Sequence, residues 1–335
     1  MFIHRPRKML VMKKLNPPRL LLLLSVVIFA CLILFRSFNS APGNGQSLLG
    51  KDQSNIDPPK LVELLRKASM PDRTVILTIL DQAWARPGSV LELFLESFKV
   101  GVGTKKLLNH LVIVTTDDQA FQYCKAMHPH CFPLPTPEDF VARKPLMHPD
   151  RSKFGRRTIR LLGEVDELGY NFVFTDADVM WLKNPFLYID PIQDLTIACE
   201  VYTGDPKSTS NKADRGFFFV KSTDISVEFL KYWEVAMVLY PDHDAQSVLE
   251  MIKEDEVVQF RLRVRIKYLD TVQFSGFCQP NKDMRQVHTM HANCCEDLES
   301  KVHDLRLVLD DWRNSMTSLS TPGSSWRVPS KCKEK

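Results

Sequence analysis

The stretch Tyr170-Asn171-Phe172-Val173-Phe174-Thr175-Asp176-Ala177-Asp178-Val179-Met180-Trp181 constrains this chain most. Apolar, β-prone residues run into two carboxylates one residue apart, and apolar residues resume at once. A buried strand reads this way where it reaches a cleft. In an extended chain alternate side chains share a face, so Asp176 and Asp178 point together and Ala177 points into the body. Two carboxylates this close repel, and their burial is costly unless a cation joins them. Hard oxygen ligands suit Mn2+ or Mg2+ holding a diphosphate, and ligands of open α/β sheets bind at the carboxyl ends of strands. The bland alternative is a solvated turn with two surface acids. The strand before the pair, and Trp181-Leu182-Lys183-Asn184-Pro185-Phe186 after it, favour the metal.

The rest of the core follows an alternating order. Thr74 to Leu80 reads as a first strand, with Asp81-Gln82-Ala83-Trp84 as the loop after it. Ser89-Val90-Leu91-Glu92 has the pattern of a capping box and opens a helix with Leu91, Phe94, Leu95 and Phe98 on one face. Leu111 to Thr115 is a second strand, and Asp118 to Met127 a helix. This order predicts an α/β fold with a mostly parallel central sheet and right-handed crossovers. A helix from Ser152 or Lys153 to Leu168, ended by Gly169, carries Lys153, Arg156, Arg157 and Arg160 and feeds into the aspartate strand. Arg157 and Arg160 are therefore candidate phosphate ligands, against the plainer reading of a solvated polar face. Gly204 to Asp214 reads as a polar loop, and Gly216-Phe217-Phe218-Phe219-Val220 as a strand whose leading glycine permits close approach of a ligand. Asp244 is an acidic cap for a helix to about Lys253, and His291 is a candidate third metal ligand set against a structural role.

The N-terminus sets an expectation of topology. The first nineteen residues hold six basic residues and no acid, and Leu20 to Phe35 is uncharged and mostly apolar. Residues 1–19 read as a cytoplasmic tail and 20–35 as an uncleaved transmembrane signal anchor, a type II single-pass arrangement with the remainder lumenal. A cleaved signal peptide is the rival, but no small-x-small cleavage site follows. Residues 36–70, rich in Ser, Asn, Gly, Gln and Pro, read as a stem with one short helix near 60–67; 71–315 form the α/β domain and 316–335 a C-terminal tail. Of 44 basic and 40 acidic residues, removing the tail's six leaves 38 basic, so the lumenal part is near neutral and carries no nucleic-acid footprint. Of eight cysteines, Cys31 falls in the anchor; Cys124 and Cys131 form a plausible local disulfide, and the spacing of the others matches no zinc site.

Several stretches together resemble the plant nucleotide-diphospho-sugar transferase group within glycosyltransferase family 77. They are Asp81 to Ser89, Leu107 to Leu111, Leu168 to Trp181, Gly276-Phe277-Cys278 and Met290-His291-Ala292-Asn293-Cys294-Cys295. The resemblance covers about Thr74 to Trp312. It implies a GT-A-type, Rossmann-like single domain in the Golgi membrane, retention of anomeric configuration, and a UDP-sugar donor bound through Mn2+ (or Mg2+). The implied acceptor is a cell-wall glycan or a glycoprotein. Carried onto this chain, it makes Asp176 and Asp178 the metal pair, His291 a third ligand, and Lys301 a cation on the diphosphate. Asp81 and Trp84 would meet the nucleotide; Arg157, Arg160 and Gly216, candidates from the residue pattern above, join the donor side.

Two departures stand out. Where the family often shows Asn-Gly-Gly, this chain has Asp214-Arg215-Gly216, and where relatives tend to Asp-Gln-Asp it has Ala245-Gln246-Ser247. Both fall where sugar and acceptor are expected, which points to a different sugar or a weakened activity. In the catalytic reading, charge developing on the leaving diphosphate is stabilised by metal and Lys or Arg, and Gln246 or Asp244 faces the oxocarbenium-like carbon. The alternatives are a non-catalytic lumenal partner of another transferase, and a metal-dependent phosphohydrolase, against which the lack of a His-rich cluster argues.

Overall fold

The computed structural model describes residues 57–134, 151–317 and 326–332. The expected tail and signal anchor, 1–19 and 20–35, lie outside the described residues. Among those described, no helix is long and apolar enough to cross a membrane.

A seven-stranded sheet forms the centre. Its strands are β1 (Thr74–Leu80), β2 (Leu111–Thr115), β3 (Cys131–Pro133), β4 (Asn171–Thr175), β6 (Leu195–Val201), β7 (Lys212–Val220) and β8 (Ile266–Tyr268), in the spatial order β3-β2-β1-β4-β7-β6-β8. The pairs β1 with β2, β1 with β4, β2 with β3 and β6 with β8 are parallel. Only β7 runs against its neighbours β4 and β6. The α/β class and the mostly parallel sheet expected for a GT-A-like domain are thus observed. The antiparallel strand arises because β6 and β7 are joined by a loop rather than by a crossover helix.

Why these segments are strands is visible in their burial. In β1, Val75, Leu77 and Ile79 pack into one layer while Ile76 and Leu80 pack into the other. In β4, Phe172 and Phe174 face the first layer and Val173 the second. A sheet covered on both faces demands continuous apolar runs, and that is what Thr74 to Leu80 and Tyr170 to Thr175 supply. The first layer is roofed by α1 (Pro58–Ala68), α4 (Arg151–Glu167), α5 (Asp224–Leu239) and α6 (Ala245–Ile252). The second is roofed by α2 (Val90–Val100), α3 (Asp118–Met127), α7 (Leu298–Thr317) and a small sheet. That small sheet has the order β5-β10-β9, from Val179–Trp181, Thr289–His291 and Phe274–Gly276.

Local expectations fare differently. Ser89 caps α2 by position, but its hydroxyl donates to the carbonyl of Ala83 at 3.0 Å, so the side-chain capping bond is not made. Gly169 ends the α4 region with φ of +76°, a left-handed conformation suited to glycine. Lys212 to Arg215, expected to lie at the end of a polar loop and just beyond it, belongs to β7. Within the stretch read as a stem, Asp57 caps α1, which buries Leu61, Leu65 and Ala68 against the sheet. At the other end, residues 326–332 dock on α7. Asp304 accepts from the backbone N–H groups of Ser330, Lys331 and Cys332 at 2.7, 2.9 and 3.0 Å. Among the described residues three disulfides occur: Cys124 with Cys131 as expected, Cys278 with Cys294, and Cys295 with Cys332.

Candidate active site

The site stands at the carboxyl end of β4. The strand stops at Thr175, and Asp176-Ala177-Asp178 form a turn closed by the Val179 N–H on the Asp176 carbonyl at 3.2 Å. The two acids are therefore brought together by a turn and not by an extended strand. Ala177 is buried as expected, at 1% exposure. The backbone N–H of Asp176 donates to the Gly216 carbonyl at 2.8 Å, which anchors the turn to β7. On the far side, β5 pairs antiparallel with β10 and sets Val179 opposite His291. Ligand atoms of Asp176, Asp178 and His291 lie within 4.8 Å of one another.

The electrostatics of this cluster are built from Asp178 outward. Its Oδ2 accepts from Lys301 Nζ at 2.5 Å, and its Oδ1 lies 3.3 Å from His291 Nε2 without a hydrogen bond. His291 Nδ1 meets Asp214 Oδ2 at 2.6 Å. Asp214 in turn accepts from Asn293 Nδ2 at 3.0 Å and from the Gly216 N–H at 2.8 Å. Burial opposes charge on His291, but the carboxylates of Asp214 and Asp178 outweigh it and raise its pKa well above the ordinary value. Burial also opposes charge on Asp178; Lys301 and His291 override it and hold the carboxyl well below the usual range. Asp176 goes the other way. Burial raises its pKa, the Arg215 guanidinium offsets this only in part, and the Asp178 charge adds to it.

Such a donor set fits a divalent cation. Two carboxylates and one imidazole converge, and a buried oxygen of Asp178 has no hydrogen-bond partner among the described residues. A metal held there would be bound by Asp176, Asp178 and His291 Nε2, since Nδ1 is committed to Asp214. A carboxylate behind a ligating histidine fixes its tautomer and ring orientation.

The other expected residues are placed as follows. Lys301 lies on α7 with its ammonium 5.2 Å from the centre of the Trp84 ring, so Trp84 and Lys301 join the cluster. Asp81 directly follows β1 and holds the loop that carries Trp84, accepting from the N–H groups of Ala83 and Trp84 at 2.9 and 3.2 Å. Burial raises its pKa. Gly216 does permit a close approach, but what approaches is a side chain of the protein itself. A Cβ there would stand 2.2 Å from His291 Cε1.

Gln246 and Asp244, the candidate catalytic residues, have defined partners in the fold. The Gln246 amide is bonded at both ends to the β7 main chain, accepting from the Arg215 N–H at 2.9 Å and donating to the Ala213 carbonyl at 2.5 Å. Asp244 caps α6 by accepting from the Ser247 N–H at 2.8 Å. Arg160 donates to Glu234 of α5 at 2.7 Å. Arg157 is half-buried on α4, whose Gly155 abuts Ala245 at the start of α6. Sequence analysis quotes Asp214 and Asn293 within its motifs but assigns neither a role; Asp214 on the His291 ring, with Asn293 behind it, becomes visible only in the fold.

Comparison with known proteins now bears on the chemistry. The profile of the nucleotide-diphospho-sugar transferase family matches residues 106–305, more than half of the chain. Two uncharacterized Arabidopsis thaliana proteins are similar along most of their length. At4g15970 is 41% identical over 281 residues, covering 82% of this chain and 74% of its own. At1g28695 is 33% identical over 276 residues, covering 80% and 82%. Among solved structures, galactosyltransferase LgtC in complex with donor and acceptor sugar analogs has 12% identity, covers 73% of this chain and 97% of its own, and gives a TM-score of 0.42. Mouse xyloside xylosyltransferase 1 has 10% identity, covers 66% and 98%, and gives 0.40. The family profile and the Arabidopsis relatives decide the assignment: the chain belongs to the nucleotide-diphospho-sugar transferase family and is a nucleotide-sugar-dependent glycosyltransferase.

Proposed function

We propose that this enzyme moves a sugar from a UDP-linked donor to a glycan or glycoprotein acceptor, with retention of configuration and with Mn2+ or Mg2+ as cofactor. The observation that carries the metal-dependent reading is the convergence of Asp176, Asp178 and His291 within 4.8 Å, beside Lys301 and Trp84, at the carboxyl end of a central strand. A divalent cation in that triad supplies positive charge to the leaving diphosphate. Lys301 adds an ammonium on the same side, and Trp84 offers an aromatic face to the base. Asp214 and Asn293 keep His291 oriented. Gln246 holds the β7 main chain that carries Asp214 and Arg215. Preorganised charges of this kind stabilise a departing diphosphate without moving a proton.

The setting is proposed as the Golgi lumen, with residues 20–35 as a type II membrane anchor. Three disulfides suit an oxidising compartment. Retention and the class of acceptor rest on the family resemblance.

The test is a panel of UDP-sugars with Mn2+, scored for UDP release with and without EDTA, using the Asp176→Ala/Asp178→Ala double variant as control. Release from one donor, lost with EDTA and in the variant, is the expected result. UDP binding without release from any donor, with acceptors supplied, would favour the non-catalytic partner. Neither binding nor release would overturn the metal assignment.

A further inference from the structure

We propose that Arg215 reads a carboxylate on the transferred sugar, so that the donor is a nucleotide-diphosphate uronic acid. The inference rests on the transferase reading above and deepens it.

In the sheet, β4 lies between β1 and β7, and the Asp176-Ala177-Asp178 turn crowns β4. Trp84 follows β1 on one side, with the Lys301 ammonium against its ring. Arg215 belongs to β7 on the other side. A diphosphate held over β4 therefore sends its base and its sugar to opposite flanks. The aromatic face of Trp84 marks the flank for the base, which leaves the flank of Arg215 for the sugar.

Arg215 is built to receive an anion there. Its main chain is fixed by the Gln246 side chain, and the next residue, Gly216, by Asp214. The Arg215 side chain is three-quarters buried, with 24% exposure, and its guanidinium has Asp176 Oδ2 as its nearest anion at 3.9 Å, beyond hydrogen-bond range. Among the described residues it makes no hydrogen bond. A guanidinium presents five donors in a planar fork that matches a carboxylate bidentately. Vicinal sugar hydroxyls can accept from such a fork, but they bring no charge to offset the buried guanidinium. A carboxylate on the sugar supplies both the acceptors and the charge.

Calorimetry on the full chain in Mn2+ tests this with UDP, UDP-glucose, UDP-glucuronate and UDP-galacturonate. The protein is compared as wild type, Arg215→Gln and Arg215→Lys. One uronate is expected to bind the wild type at least about tenfold more tightly than UDP-glucose, the range of a hydrogen bond between charged groups. Arg215→Gln should abolish the difference, and Arg215→Lys should keep only part of it, because it retains charge without the fork. Equal binding of uronates and UDP-glucose by the wild type overturns the inference whatever the variants do. So does a preference that survives in Arg215→Gln. An equal loss of affinity for UDP itself in Arg215→Gln would place the guanidinium on the diphosphate and also overturn it. Failure of the wild type to bind UDP would instead overturn the UDP-donor reading proposed above, and this inference with it.

Discussion

Replacing Gly216 by alanine probes the site through one methyl group. The added Cβ would lie 2.2 Å from His291 Cε1, 2.8 Å from Nδ1 and 2.9 Å from Nε2. Ordinary carbon contacts begin at about 3.5 Å, so the imidazole must retreat by more than about 1 Å. That retreat breaks the 2.6 Å contact with Asp214 and turns Nε2 away from Asp176 and Asp178. Overpacking costs about 1–3 kcal/mol, and losing a charge-assisted hydrogen bond costs about as much again. At about 2–4 °C per kcal/mol for a domain of this size, the melting temperature should fall by several degrees. Mn2+ affinity should fall by about 10- to 100-fold, the usual loss when the support of a ligating histidine is disturbed. Thermal melts and Mn2+ calorimetry measure both. Gly163→Ala, inside α4 with its nearest foreign atom at 3.8 Å, is the control and should be neutral or slightly stabilising. Gly216→Ala with unchanged melting and unchanged Mn2+ affinity would refute the placement of His291.

Three further outcomes follow from the same geometry. The buried Asp166 carboxyl is pushed up to about 6 by burial, with Ser226 and Ser222 offsetting it only in part. A folded-state pKa above the unfolded value means that ionisation opposes folding: the penalty is absent below about pH 4, grows between about 4 and 6, and is constant above. Asp166→Asn should therefore stabilise the protein by up to about 3 kcal/mol at pH 7.5, with the gain vanishing towards pH 4 in denaturant titrations. Gln246→Ala leaves the Arg215 N–H and the Ala213 carbonyl without their side-chain partner; it should cost about 1–3 kcal/mol and weaken donor binding, whereas stability and binding equal to wild type would remove its positioning role. Cys278 and Cys294 close a loop with a sequence separation of 16 that contains His291. Their joint replacement by alanine should cost about 3 kcal/mol and lower Mn2+ affinity, read by denaturant titration and calorimetry.

How far the sequence reveals this molecule depends on which interactions are local. β1, β2 and β4 were legible because strands buried on both faces must be apolar throughout. Asp176 and Asp178 were legible because two acids in such a run need a reason to be there. The direction of β7 was not, since an apolar run reads the same in a parallel or an antiparallel neighbour. Asp214 reaches His291 across 77 residues, and Cys295 reaches Cys332 across 37. No periodicity carries pairings at that range. Ser89 and Gly216 teach a similar point. The residue types were recognised, but their partners, Ala83 and the His291 ring, became visible only with the fold. Gln246, singled out by motif, has its amide bonded to main chain that the sequence could not show beside it.

The proposed function makes Asp176, Asp178 and His291 the metal centre of a UDP-sugar transferase. X-ray diffraction at the manganese edge, on crystals grown with Mn2+ and UDP, tests it most directly. One anomalous peak is expected within coordination distance of Asp176, Asp178 and His291 Nε2, with the UDP diphosphate on the same ion and Lys301 beside it. A triad that remains without a peak, or a manganese–UDP complex bound elsewhere on the chain, would contradict it.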